Sequence, residues 1–473
     1  MADRQNHTFR SRITGIAICW FLLLCTISEA ATPEYKFTHY TSTNSGLPYN
    51  MVNKIIQDEK GFIWFGTSSG LSRFDGTRFR NYTKEELGLQ SVYITALCKD
   101  GDGNLWVGTD LGVTVYNVHT DRFEPFTQKS DLETTIHNKA NAICKGPDGI
   151  IWISVNGQGL FAYDPTSKLL RNYFFEHGKQ TLPVNIRTLH VDAENGLWLS
   201  LFYHSLLYIA PGQPIPRSIE EELIIRPFQH DDVTAIQTLP GKPRSAYIAS
   251  VIQGLCLLDQ TSGAIRTLIP PPQSDFSAED LFVDARGQVW MPTNLGVYVY
   301  NPEDETVRCY SADEQDRFSL SDNHAFAVYM DANDGLWIGT NVGGVNYSSA
   351  IQRNFEKQYL VKGQALGDCL VRGFADDQNG HIWIATEKEG LLVYDKEAKH
   401  LAQITDACLP KTQFTVCYDS GILWIGTIQG LYRFNPRTRE CKAYETLGIP
   451  FSMQDRRVFV VFRTSHRELF VGT

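Results

Sequence analysis

Past its first 30 residues the sequence has no apolar run of the ~20 residues that a membrane-spanning helix needs, so helical crossing is not expected there. It is also short of cations. Its 43 Lys and Arg stand against 53 Asp and Glu, a formal charge of −10, and this segment is not expected to bind nucleic acid. No Cys-x-x-Cys pair, no His-Glu-x-x-His and no other metal spacing occurs, so neither a metal nor any other cofactor is expected. Cysteine is sparse at ten residues, two of which (Cys19 and Cys25) lie in the first 30. Cys98, Cys144, Cys369 and Cys417 fall at similar places in apolar, strand-like runs, and the eight later cysteines are expected to be free, buried thiols. What is plentiful is core-forming material: 42% hydrophobic residues and 37 glycines, with 26 Phe, 21 Tyr and 9 Trp, which excludes disorder and coiled coil.

The N-terminus has the pattern of an export signal. Arg4, Arg10 and Arg12 precede an apolar stretch of about 15 residues from Ile13 to Ile27, and Ser28-Glu29-Ala30 supplies small residues for cleavage after Ala30. An uncleaved anchor is the alternative. Lipidation at Cys25 is not expected, because Leu24 stands where a small residue belongs. Residues from Ala31 onward are therefore expected to be exported, into the periplasm.

One phrase recurs along the chain. Gly61-Phe62-Ile63-Trp64-Phe65-Gly66-Thr67 is followed by Asn104-Leu105-Trp106-Val107-Gly108-Thr109, and again around Trp152, Trp198, Trp290, Trp337, Trp383 and Trp424. The spacings are 42, 46, 46, 92, 47, 46 and 41 residues, and the long gap holds a degenerate copy with Tyr247 in place of Trp. A tenth copy has Phe470 there and runs into Thr473. Within the first unit, Val52–Asp58, Phe62–Thr67, Leu71–Phe74 and Arg78–Tyr82 read as four antiparallel strands joined by polar turns. Such a unit is a propeller blade. The tryptophan is expected to be blade-packing core, with Gly66 and its equivalents making room beside the indole.

Lys36-Phe37-Thr38-His39-Tyr40-Thr41 copies a fourth strand without a blade of its own, which is what a ring needs to close on its last blade. Asn354–Tyr359 repeats that signature ahead of a new unit at Val371. The fold expected is all-β: a signal peptide over 1–30, a seven-bladed β-propeller over 31–350, and about three blades of a second propeller over 351–473. That second piece is expected to have open edges and to be unstable by itself.

The repeated phrase Asp-x-x-Gly-x-hydrophobic-Trp-hydrophobic-Gly-Thr-x-x-Gly-hydrophobic, as in Asp331–Val345 and, with one residue inserted, Asp376–Leu391, resembles the two-component regulator propeller repeat. Nearly the whole chain beyond residue 30 is similar to the exported sensor region of hybrid two-component sensor histidine kinases in glycan-degrading bacteria. The resemblance implies two seven-bladed propellers and a β-sandwich ahead of a membrane helix, a kinase, a receiver and a DNA-binding domain. It implies an oligosaccharide ligand from polysaccharide breakdown, control of glycan-utilisation genes, and anchoring of the parent protein in the inner membrane. Against that pattern the chain is expected to be a truncated, non-enzymatic piece that needs the rest of its kinase to signal. Whether it forms a homodimer is left open.

Three catalytic-looking matches have structural readings. Gly66-Thr67-Ser68-Ser69-Gly70 fits a nucleophile elbow and Gly157-Gln158-Gly159 begins a dinucleotide fingerprint, but both lead into strands rather than helices. Asp100-Gly101-Asp102-Gly103-Asn104 opens like a calcium loop but has Leu111 where a bidentate Glu is required. Ligand chemistry is expected instead at the funnel formed by the loops leading into each innermost strand and those joining second and third strands. Those positions hold Tyr49, Asn50, Tyr93, Asn138, Asn185, Tyr203, His204, Asn294, Asn323 and His324. Aromatic rings stack on sugar faces and amides reach hydroxyls. Asn50, Asn185 and Asn323 recur at one offset and also suit turn capping, whereas Tyr203 and His204 break the repeat. The alternatives are a protein-docking scaffold and a propeller hydrolase or lyase, for which His230, Asp231 and Asp232 are the nearest carboxylate and base candidates, read here as a solvated rim.

Overall fold

The computed structural model describes residues 35–88, 91–173, 185–202, 205–215, 224–239, 241–351, 360–361, 364–365, 369–444, 456–466 and 468–473. The export signal and the second closing strand over Asn354–Tyr359 lie outside them. The chain divides into two compact units, one comprising residues up to Tyr310 with Leu320–Arg353, the other Ser311–Ser319 with Asn354–Thr473.

In the first unit β1 (Thr38–Tyr40) precedes an antiparallel sheet of β2 (Val52–Gln57), β3 (Ile63–Thr67), β4 (Gly70–Phe74) and β5 (Phe79–Tyr82). Six further sheets follow in chain order, with inner strands Ile94–Lys99, Ala140–Lys145, Ile186–Val191, Val233–Leu239, Phe282–Val283 and Ala325–Met330. The orphan strand β1 forms the outer edge of the last of these, Thr38 opposite Tyr347 and Tyr40 opposite Val345. The N-terminal strand thus covers an edge that would otherwise lie open.

All five residues of β3 are buried, because each sheet is covered on both faces by its neighbours. The apolar core is a series of clusters between consecutive sheets. Trp64, Leu71 and Tyr82 of the first sheet meet Ile94, Leu105 and Tyr116 of the second. Ala327, Trp337 and Val345 of the seventh meet Val52, Ile55 and Phe65 of the first, which closes the ring. Tyr247 is buried at the place of the absent tryptophan, opposite Gln237.

The repeat's aspartate, six residues before the tryptophan, carries the local geometry. Asp58 Oδ1 accepts from the backbone N–H groups of Lys60 and Phe62, both at 2.9 Å, and Oδ2 accepts from the Trp64 indole at 2.7 Å. Asp100, Asp284, Asp331 and Asp377 hold Trp106, Trp290, Trp337 and Trp383 in the same way, at 3.1, 3.1, 2.7 and 3.3 Å. The aspartate for Trp383 is therefore Asp377 rather than Asp376, and no residue is inserted between it and its indole. Asp100 spends both oxygens on the Asp102, Asn104 and Trp106 donors, so the calcium-like loop is an ordinary turn of this kind.

Two expectations need correction. The space at Gly66 is not taken by its own indole: a Cβ there would sit 2.6 Å from Ile94 Cγ2 of the next sheet, and at Gly339 one would sit 2.6 Å from the Val52 carbonyl. The glycine lets consecutive blades approach. The cysteines are not all free, since Cys408 and Cys441 form a disulfide. Among the other described cysteines, only Cys256 is fully buried and Cys309 is exposed. Cys98, Cys144 and Cys417 lie opposite Trp106, Trp152 and Trp424, but Cys369 precedes its strand, and Ala375 faces Trp383 instead. Burial pushes the Cys98 thiol up to about 12, which keeps it protonated and unreactive.

The second unit holds two four-stranded sheets, with inner strands Val371–Asp376 and Gln413–Asp419, and two strand pairs, Leu360–Val361 with Gln364–Ala365 and Val460–Arg463 with Leu469–Gly472. Phe374, Phe462 and Phe470 are exposed, at 66%, 60% and 59%.

Candidate functional site

In the first unit, one end of the ring gathers the loops that lead into the inner strands. In six of the seven sheets the turn after the second strand donates a backbone N–H to a carbonyl on the segment leading into the inner strand. Ser68 bonds Met51, Asn156 Lys139, Phe202 Asn185, Val251 Asp232, Asn294 Ser277 and Asn341 His324, all between 2.8 and 3.2 Å. Inner strands then carry a bulge: the ladder skips Asn53, Thr95, Asn141, Arg187, Thr234 and Phe326. A bulge re-aims its extra residue. Here Asn53 Nδ2 donates to the Ile94 carbonyl at 3.0 Å, Thr95 Oγ1 to Ala140 at 2.5 Å and Asn141 Nδ2 to Ile186 at 2.9 Å, tying each sheet to the next.

In the fourth sheet the bulge residue is Arg187, which pairs with Asp232 of the fifth at 2.5 Å and lies over the Phe202 ring. Lys54 of the first sheet reaches Asp280 of the sixth at 3.0 Å, with both side chains about two-thirds buried. Beside it, Glu279 accepts from Ser277 Oγ at 2.7 Å and stands 3.7 Å from His324 Nε2, a buried nitrogen with no hydrogen-bond partner among the described residues.

The expected site residues take different places around this mouth. Tyr49 and Tyr93 are exposed, at 51% and 37%. Asn50 Oδ1 accepts from Ser42 N at 2.8 Å, Asn185 Oδ1 from Gly157 N at 2.8 Å, and Asn294 bridges Ser277 N and the Asp275 carbonyl at 2.9 and 2.7 Å. These amides hold neighbouring loops together. Asn138 N bonds Gln158 Oε1, which also takes His137 N, so the fingerprint-like glycine run frames a loop clamp. The Asn323 carbonyl accepts from Gly296 N at 2.7 Å, and His324 stacks on Phe326 with ring centres 4.5 Å apart. Tyr203 and His204 lie outside the described residues. Asp231 is not a solvated rim residue: it is buried and accepts from Asp232 N, Ile252 N and Gln253 Nε2. Arg187, Lys54, Glu279 and Asp280 escaped the sequence reading. Their only signal is charge at the second and third inner-strand places, where other blades carry Asn, Thr, Ala or Phe.

A family model described as the two component regulator propeller matches residues 46–69, 88–110 and 319–342. The chain carries two-component regulator propeller repeats. No curated protein matches it in sequence. Among solved structures it is similar to the extracellular domain assigned to a hybrid two-component system of B. thetaiotaomicron, at 21% identity and a TM-score of 0.60, over 93% of this chain and 58% of that one. A second such extracellular domain from the same organism gives 17% identity and a TM-score of 0.54 over 92% and 64%. Virginiamycin B lyase from Staphylococcus aureus gives 13% identity and a TM-score of 0.50 over 67% and 99%. The chain thus spans less than two thirds of the length of the first two. These likenesses establish a propeller fold. Among the described residues no helix is long and apolar enough to cross a membrane.

Proposed function

We propose that this chain is the extracytoplasmic ligand-sensing region of a hybrid two-component sensor histidine kinase, exported through residues 1–30 and itself without catalytic activity. In this reading residues 31–350 form a seven-bladed propeller and 351–473 belong to a second one. The first ring takes an oligosaccharide at its channel mouth, the kinase lies elsewhere in the full-length protein, and the output is control of glycan-utilisation genes. The observation that supports the ligand assignment is that exposed Tyr49 and Tyr93 lie on loops leading into inner strands, the same segments that carry Arg187, Glu279 and His324. Exposed tyrosines offer stacking faces and the charged groups offer directional bonds to hydroxyls.

Calorimetric titration of the exported chain with a panel of plant and host oligosaccharides tests the reading. Saturable binding without turnover is expected, weakened about tenfold or more by Tyr93→Ala or Tyr49→Ala at unchanged unfolding midpoint. Cleavage of an oligosaccharide would move the assignment to a hydrolase or lyase. Binding indifferent to both substitutions would remove the mouth as the site.

A further inference from the structure

The sixth sheet of the first unit breaks the repeat at one residue. In the other six sheets the penultimate residue of the second strand is Gly, Ser or Ala and pairs with the inner strand, as Gly66 does with Lys54 and Gly339 with Ala327. In the sixth it is Pro292, which pairs with Val297 of the third strand but with no residue of the inner one. Proline has no N–H to give to a ladder. The regular inner strand shrinks to Phe282–Val283, with one isolated bridge from Ala278 to Thr293. Counted along that register, Asp280 faces Pro292 and Glu279 takes the bulge. Glu279 N donates to the Pro292 carbonyl at 2.9 Å, and Leu281 N turns instead to the Asp280 side chain, also at 2.9 Å. The stretch Glu279–Leu281 thus has fewer ladder bonds than its counterparts, which lowers the cost of shifting it.

This stretch presents two carboxylates to other blades. Asp280 is paired with Lys54 of the first sheet at 3.0 Å. Glu279 has no Lys or Arg partner among the described residues; it accepts from Ser277 Oγ at 2.7 Å and stands 3.7 Å from His324 Nε2 of the seventh sheet, beyond hydrogen-bond range. That nitrogen is buried and without a partner among the described residues, while the side chain as a whole is 36% exposed and stacks on Phe326. A proton therefore reaches the ring from solvent, and its charge appears beside a carboxylate. The other charged groups on the elements packed around the ring do not compete. Asp322 spends Oδ1 on His324 N and Oδ2 on Val342 N, and Lys54 and Asp280 neutralise each other.

We propose that Glu279 and His324 form a proton-operated latch across the channel mouth. Histidine takes up its charge between about pH 8 and 5. Above that window the ring is neutral and the 3.7 Å gap stays open. Below it imidazolium and carboxylate attract, and the loosened Glu279–Leu281 stretch closes the gap, tying the sixth blade to the seventh beside the permanent Lys54–Asp280 pair. Acid thus draws one side of the mouth together. The bearing on ligand capture rests on the mouth being the binding site; the latch itself does not.

Hydrogen exchange on the exported chain without ligand reads the latch directly. After correction for intrinsic rates, the peptide Ser277–Val283 is expected to be about two- to fivefold better protected at about pH 5.5 than at about pH 8, the range of a partly exposed ion pair. His324→Gln and Glu279→Gln, each neutral at both pH values, should abolish the difference, and the double variant should match either single one. Pro292→Ala returns the missing N–H to the ladder and should keep the peptide protected at both pH values. Equal protection of the wild-type peptide at the two pH values overturns the proposal. So does a pH response that survives in Glu279→Gln, or one that persists at full size in Pro292→Ala. Because no ligand is present, failure here is distinct from failure of an oligosaccharide to bind at the mouth.

Discussion

At the scale of single residues, the aspartate six places before Trp64 accepts three hydrogen bonds at once: it closes a turn through two backbone N–H groups and satisfies a buried indole. The fourth blade departs from this. There Asp192 Oδ2 accepts from the Tyr208 hydroxyl at 3.1 Å, and the Trp198 Nε1 has no partner among the described residues. Trp64→Phe should therefore destabilise more than Trp198→Phe, by about 1–2 kcal/mol, since only the former strands a buried carboxylate oxygen. Urea unfolding of the two variants measures the difference. His190, on the inner strand of the same blade, bonds Thr238 Oγ1 at 2.9 Å, and burial pushes its ring down to about 4, with nearby Asp192 partly opposing. The unfolded ring titrates near 6.5, so the stabilisation is complete above that pH and is lost as pH falls toward 4. The loss is roughly 3 kcal/mol at most, less to the extent that water reaches the ring. Unfolding midpoints of wild type and His190→Gln measured across this window should converge as the buffer is acidified.

At the scale of elements, the interval between neighbouring inner strands sets what each blade tolerates. A Cβ at Gly339 would meet the Val52 carbonyl at 2.6 Å, a backbone atom that cannot swing aside, whereas at Gly108 it would meet no atom nearer than the Ala140 Cβ at 3.0 Å. Gly339→Ala should cost about 1–3 kcal/mol, and Gly108→Ala clearly less, read from thermal midpoints. Sequence reading located the strands of the first blade to within one residue, because alternation and turn residues are local properties. It placed the glycine's vacancy beside the wrong partner, since the neighbour it admits at Gly66 is Ile94, which belongs to the next blade. The disulfide was hidden for a similar reason. Cys408 and Cys441 are 33 residues apart in sequence and bring a loop to an outer strand. Closing a loop of that length is worth about 3–4 kcal/mol, so mild reduction should lower the unfolding midpoint of the second unit and leave that of the first in place.

At the scale of the whole molecule, the ring of the first unit is held shut by a three-residue strand. Thr38–Tyr40 covers the edge at Val345–Ser348, and Tyr40 packs against Phe74, Phe79 and Trp337 across the first and last sheets. Deleting residues 31–44 should expose that edge, lower the thermal midpoint by many degrees, and raise amide exchange at Val345–Ser348 above that of the other outer strands. Gel filtration would show association through the freed edge. The candidate site belongs to this scale as well. Tyr49 and Tyr93 could be read off repeat positions, but Lys54–Asp280 joins sheets separated by 226 residues, and Arg187–Asp232 joins neighbouring blades. No spacing rule links such pairs.

By itself the sequence determined the blade: the strand lengths, the turns, the tryptophan with its aspartate, and the orphan strand ahead of the first unit. Each follows from periodicity and hydrogen-bonding chemistry acting within about 45 residues. Only the tertiary structure decided which side chains share space: that the repeat's glycine faces the next blade, that Asn50 and Asn185 hold loops together, that charges cross the channel mouth, and that His324 stands beside Glu279. The physical reason is that a propeller builds its core and its mouth between repeats, where proximity depends on how the ring closes.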